Sequence, residues 1–436
     1  MGPVELFLLT IAAIFVVGVI GEVIFEKTNV PDVIWLILVG VIVGPVLGWV
    51  DKQILNEVAP FFGALTLVIV LFDGGSRLNL SELIKVAPRS LSLALAGFLF
   101  SIVAVACFAE VARLFGLIPP SWTFLHGLML GAIVGGASSV VIMPAMQKAG
   151  LPPALANIVN LESALTDVLC VVVTGALIEI LLSGALEFQM AATTLGKSFG
   201  LGLALGAIAG LMWLVLHKLW KGAPHEYPLT LGGLMVLYVV IDKSGGSAAL
   251  GILTAAVIIG NAVPLSRSLK LEGGEPLNPQ LQHFHGVITF MVKSFFFTFI
   301  GLMLYPPWSL ILFGGLLGIG LLLSRIPAVW LATAKSGMGR TERSLITVMM
   351  PRGMAAGVLA ILPFQKGVSD SEFLPVVVFS CVVTTLLLFA GGFPVYKNRL
   401  VELVRSPALS ADDNVASVVA GSGTDSDDPT PPQEPL

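Results

Sequence analysis

Residues 160–174 read NLESALTDVLCVVVT, and the reading of this stretch decides the fold. Its two carboxylates, Glu162 and Asp167, sit within an apolar run over residues 155–184 that is long enough to cross the ~30 Å hydrocarbon layer of a bilayer. An ionised carboxylate at that depth is costly, so such a group faces a partner or a water-filled path. Spacings of three and four put Asn160, Ser163, Asp167, Cys170 and Thr174 on one helical face, with Glu162 and Thr166 as an i, i+4 pair on its flank. Asp167 follows Glu162 by five positions, roughly 140° around the axis. The two carboxylates therefore have different neighbours and different tasks.

Three basic residues also lie within apolar runs: Lys293, Arg325 and Arg352. Arginine keeps its proton, so Arg325, in GLLLSRIPAVW from Gly320, needs an anion, and Glu162 is the best candidate. Asp167 is then the carboxylate left to load and release an ion or a proton. Lys293 either snorkels to the interface or carries a proton. Arg352 is placed to fill a charge deficit where its span breaks. Asp73, in LFDGGSR (71–77), is near a span end, where it serves as a cap, a loop contact or part of an ion path.

Composition agrees with a membrane protein. Hydrophobic residues make up 56% of 436 positions, charged residues 11%, and mean hydropathy is +0.96; soluble domains carry about 25% charged residues. The net charge of −4 says less than the placement of the charges. Cys107, Cys170 and Cys381 all fall in apolar runs without metal-ligand spacing and read as small buried hydrophobes. The first 23 residues lack a basic leader and a small-residue cleavage site, which predicts a retained first span. His126, His217, His225, His283 and His285 are scattered at span ends or in loops.

Hydropathy predicts thirteen transmembrane helices, near 4–25, 33–50, 59–76, 88–112, 122–148, 155–184, 198–216, 228–242, 246–263, 284–304, 306–334, 341–363 and 373–397. With the N-terminus outside, only Lys52, Arg113, Lys197, Lys243 and Lys366 fall in outer loops, and every other loop Lys and Arg is inside. That asymmetry predicts N-out, C-in. From Ser406 onward the chain has acidic residues, no Lys or Arg and no apolar face, which predicts a disordered cytoplasmic tail over 406–436.

Two spans are interrupted. Span five contains GAIVGGASSVVIMP (131–144) and span twelve PRGMAAGV (351–358). Glycine, serine and proline weaken a helix interior. With span seven as a linker, each break falls in the fifth span of a six-span half, and the halves have opposite orientation. Interrupted helices at matching places in two inverted repeats mark a transporter site. An ion channel would need a filter-like loop, and neither a His-Glu-x-x-His nor a Gly-x-Ser-x-Gly motif occurs in the spans to suggest an intramembrane enzyme.

LFDGGSRLNL from Leu71, GAIVGGASS from Gly131, ESALTD from Glu162, FFFTFIGL from Phe295, the Arg325 segment and PRGMAAG from Pro351 occur in a familiar order. Over residues 1–400 the chain resembles the monovalent cation/proton antiporter superfamily, closest to its sodium/proton exchanger branch. The resemblance implies a membrane transporter domain in two bundles. One is a mobile core, about 88–184 and 306–397, where broken spans five and twelve cross beside Asp167. The other, about 4–76 and 198–304, is a dimer-forming scaffold. It implies that Asp167 alternately binds a monovalent cation (Na⁺, K⁺ or Li⁺) and a proton, that Glu162 pairs with Arg325, and that the protein is a homodimer in the plasma membrane. No cofactor or nucleic-acid partner is expected.

The sequence departs from that pattern twice. Thr166 stands where many relatives have Asn, and Ser138-Ser139-Val140 stands where the sodium/proton branch usually reads Thr-Asp-Pro. The Ser-Ser pair resembles the branch that includes glutathione-gated potassium efflux systems. These departures leave Ser138, Ser139, Ser163 and Thr166, with backbone carbonyls, as oxygen ligands suited to a hard monovalent cation. The expected activity is alternating-access exchange of Na⁺ for H⁺, electroneutral at 1:1, with K⁺/H⁺ antiport or sodium-coupled organic-anion symport as alternatives.

Overall fold

The computed structural model describes residues 3–28, 31–50, 52–76, 80–149, 153–183, 188–220, 226–268, 279–305, 307–334 and 338–420. Their regular structure is helical throughout: α1 (Pro3–Thr28), α2 (Asp32–Val41), α3 (Lys52–Ser76), α4 (Leu80–Leu114), α5 (Phe124–Ile133), α6 (Ser139–Lys148), α7 (Pro153–Ser183), α8 (Phe188–Trp220), α9 (Glu226–Lys243), α10 (Ala248–Gly260), α11 (Ala262–Ser268), α12 (Pro279–Leu302), α13 (Trp308–Ala332), α14 (Arg340–Val348), α15 (Met354–Lys366) and α16 (Leu374–Ala420). A π-helical stretch, Ile42–Val46, extends α2 and contains Pro45.

Each predicted segment holds helix, but their lengths differ. By length and composition alone, five described helices cross a bilayer unaided, and a sixth does if α3, bent by 42° between Ala59 and Phe61, counts as one span. Pro60 stands at that bend, where it removes a backbone hydrogen bond. The shorter apolar helices include α5, α10 and α15. The pairs α5/α6 and α14/α15 are the two interrupted spans read from the sequence.

Helix α16 runs from Leu374 to Ala420 and so enters the acidic tail that begins at Ser406. Once a span has nucleated a helix, each further residue adds little cost. Residues 421–436 lie outside the described ones.

Helix α4 packs on α5, α7 and α13, while α16 packs on α13, α14 and α15. Elsewhere α2 packs on α1 and α12, α10 packs on α8 and α9, and α3 touches both α10 and α15. Lipid offers no hydrophobic drive between helices, so small residues that allow close backbone approach matter most. At the α2–α12 crossing, a Cβ on Gly40 would strike the Thr298 carbonyl, and one on Gly301 the Ile37 carbonyl. Phe296 and Phe297 of α12 are fully buried, so the Phe run turns inward rather than toward lipid.

Gly301→Val should therefore lower stability by about 1–3 kcal/mol, the range for overpacking a tight contact. Gly286→Ala, with open space around its Cα, should leave it unchanged. Thermal unfolding followed by size-exclusion chromatography compares the two; equal melting temperatures would remove the close crossing from the account.

Candidate functional site

A helix interrupted inside a membrane leaves backbone groups that only protein can satisfy. The first break, residues 134–138, joins α5 to α6; the second, 349–353, joins α14 to α15. They meet each other. The Ser138 amide donates to the Pro351 carbonyl at 2.8 Å, and Arg352 Nη1 donates to the Gly135 carbonyl at 2.9 Å. The Arg352 amide donates to Thr385 Oγ1 of α16 at 3.1 Å. A Cβ on Gly353 would overlap the Ser138 hydroxyl, so the second break needs glycine for this approach.

Helix α7 braces the first break. Ser163 Oγ donates to the Ala137 carbonyl at 2.7 Å. Thr166 Oγ1 accepts from the Ala137 amide at 3.3 Å and donates to the Ser163 carbonyl at 3.0 Å.

Arginines close the two helix C-termini that point into the breaks. Arg352, 1% exposed, lies beyond the C-terminus of α5. Arg325 donates to the Ile346 carbonyl at 3.2 Å and the Met349 carbonyl at 3.1 Å, at the C-terminus of α14. Each thereby places positive charge at the negative end of a helix dipole. Arg325 also faces Glu162: Nη1 lies 2.7 Å from Oε1, and Nη2 donates to Oε2 at 2.9 Å. Both side chains are buried. One ion pair thus ties α7, α13 and α14 together.

Asp167 lines a small cavity of about 20 Å³ with Gly136, Ser138, Cys170, Gly353 and Met354, and with Val70 of α3. That is room for roughly one water-sized species. Arg352 acts on the Asp167 carboxylate electrostatically, and no hydrogen bond fixes it among the described residues. The carboxylate is therefore free to accept a proton or a small cation.

The other sequence-selected residues divide. Ser138 lines the cavity; the Ser139 side chain lies outside those described. Ser163 and Thr166, expected as ion ligands, bond the Ala137 carbonyl and amide of the first break, and each hydroxyl oxygen retains a lone pair. Lys293 lies apart from the site, where its Nζ donates to Asp32 Oδ2 of α2 at 2.6 Å. Asp73 is buried in α3 next to α10, away from the cavity lining. His126 shares a capping box with Thr123 at the start of α5; the other four histidine side chains lie outside those described.

Sequence reasoning missed Cys170 as a cavity wall, although its place on the Asp167 face was visible. Gly353 and Thr385 were missed too, since only the meeting of the breaks reveals them. Cys107, read as buried, is exposed. Glu179, another carboxylate of α7, sits near the far end of that helix.

The family model described as the transmembrane sodium/hydrogen exchanger matches residues 11–394. The chain belongs to this family. It is 29% identical over 332 residues to "K(+)/H(+) antiporter NhaP2" of Shewanella baltica (strain OS223), covering 74% of this chain and 54% of the relative. The chain thus spans about half the length of such relatives. It is 25% identical over 386 residues to "Probable Na(+)/H(+) antiporter 2" of Methanocaldococcus jannaschii, covering 85% of this chain and 88% of the relative. The solved structure of the sodium proton antiporter MjNhaP1 from the same organism, at pH 8, superposes with a TM-score of 0.72 at 20% identity, over 91% of this chain and 99% of that one. The chain has this antiporter fold and is a multi-pass membrane protein.

Glu162→Gln should destabilise the protein by about 3–5 kcal/mol, because it leaves Arg325 buried without its counter-charge. Replacing both partners with leucine should recover part of that loss. Melting curves of the three proteins check this, and a single variant that melts like the wild type would contradict the structural weight given to the pair.

Proposed function

We propose that the chain is a secondary active antiporter exchanging a monovalent cation, Na⁺ first and K⁺ as the alternative, for protons by alternating access. The observation that carries this is the single carboxylate, Asp167, facing a one-ion cavity where two interrupted helices meet. The names of the relatives support antiport and leave the cation between Na⁺ and K⁺. Ser138 and backbone carbonyls of the breaks supply the remaining oxygens. A cavity this small favours a bare ion over an organic anion.

Charge balance supports electroneutral 1:1 exchange. Glu162 and Arg325 cancel, Lys293 and Asp32 cancel, and Arg352 is held at the end of α5. The carboxylate takes one positive charge whichever ion loads it. In this reading α4–α7 and α13–α16 form the moving core, and α1–α3 and α8–α12 the scaffold of a homodimer. The chain crosses the plasma membrane thirteen times, with its N-terminus outside and its C-terminus in the cytoplasm.

The test is proteoliposomes with an internal pH dye and an imposed pH gradient, challenged with external Na⁺, K⁺ or Li⁺, the voltage clamped by K⁺ and valinomycin for Na⁺ and Li⁺. One of these cations should dissipate the gradient, and Asp167→Asn should abolish the response. Because proton and cation compete for one group, the cation KM should rise as the pH falls. Robust exchange by Asp167→Asn, or a KM indifferent to pH, would sink the single-site reading.

A further inference from the structure

The cavity has a ligand of a second kind. Cys170 follows Asp167 by three residues on the same face of α7, is 2% exposed and lines the same cavity. A Cβ on Gly136 of the first break would meet the Cys170 sulfur at 2.9 Å and Asp167 Oδ1 at 3.4 Å. The sulfur and the carboxylate therefore flank one point. Ser138, 7% exposed, lines the same cavity. A carboxylate, a thiol and a hydroxyl lining one cavity offer both oxygen and sulfur donors to a single ion.

We infer that this cavity is a mixed oxygen–sulfur site that captures a soft monovalent cation, Ag⁺, on Cys170 Sγ and the Asp167 carboxylate, in competition with the alkali cation. The inference rests on the reading of Asp167 as the cation site. Na⁺ and K⁺ are hard and use the oxygens, whereas thiolate sulfur selects soft ions. Ag⁺ displaces the thiol proton: the S–H bond breaks, an S–Ag bond forms, and the proton passes to Asp167 or water. No electron is transferred. An ion held on sulfur leaves more slowly than one held on oxygen alone, so Ag⁺ stalls the exchanger rather than being carried.

The test uses the purified full chain in chloride-free nitrate buffer, measuring Ag⁺ binding by titration and, in proteoliposomes, Ag⁺ inhibition of exchange. Cys107→Ser with Cys381→Ser removes the other two thiols and should leave one Ag⁺ bound per chain. Adding Cys170→Ser should weaken binding by at least about tenfold, the lower range for loss of a metal-site contact. Saturating alkali cation should do the same. Ag⁺ affinity unchanged by Cys170→Ser, or indifferent to both Na⁺ and K⁺, overturns the proposal. Should Cys170→Ser fail to fold, alkylation of wild-type Cys170 read by peptide mass spectrometry replaces it: Ag⁺ must shield that residue, and failure to shield it overturns the proposal. A chain that exchanges no cation for protons defeats the antiport reading, while the titration still decides the soft-ion site.

Discussion

Everything in this structure depends on how the backbone is satisfied where two helices are interrupted inside the membrane. Lipid offers no hydrogen bonds there, and each orphaned amide or carbonyl would cost several kcal/mol. The two breaks answer by bonding to each other, through Ser138 and Pro351, and to α7, through Ala137 with Ser163 and Thr166. Three further carbonyls go to arginines: Gly135 to Arg352, and Ile346 and Met349 to Arg325. These arginines bring charge into the membrane, and that charge must be balanced in turn. Glu162 balances Arg325.

The site follows from this arrangement. Once Glu162 is held by Arg325, Asp167 is the carboxylate of that face that lines the cavity without a fixed bond. Its freedom is a consequence of the other groups being occupied. The same bracing explains why Gly136 and Gly353 cannot carry side chains: a Cβ at either would enter space held by Cys170 or Ser138.

Much of this was legible in the sequence, and the reasons differ by residue. The breaks showed because glycine, serine and proline stand out in apolar spans. The Asp167 face showed because helical spacing is regular. Spacing assigns a face but not a neighbour, however, so the bonds from Ser163 and Thr166 to the Ala137 backbone were not visible in it. Lys293 was read as a snorkel or proton carrier because its partner, Asp32, is 261 residues distant. Arg352 was placed at its break, but its acceptor on the other break belongs to the tertiary fold. Cys170 was passed over because a buried cysteine usually packs as a small hydrophobe.

The central claim is that a proton and a cation share Asp167. Its most direct test is the number of protons released per cation bound, measured in solution on the purified protein by calorimetry in buffers of different ionisation heat. The account predicts that binding of the transported cation releases a proton where the carboxylate is protonated, approaching one proton per cation at the acidic end of the range. It also predicts no cation-linked proton release in Asp167→Asn. Cation binding with no proton release at any pH would contradict it.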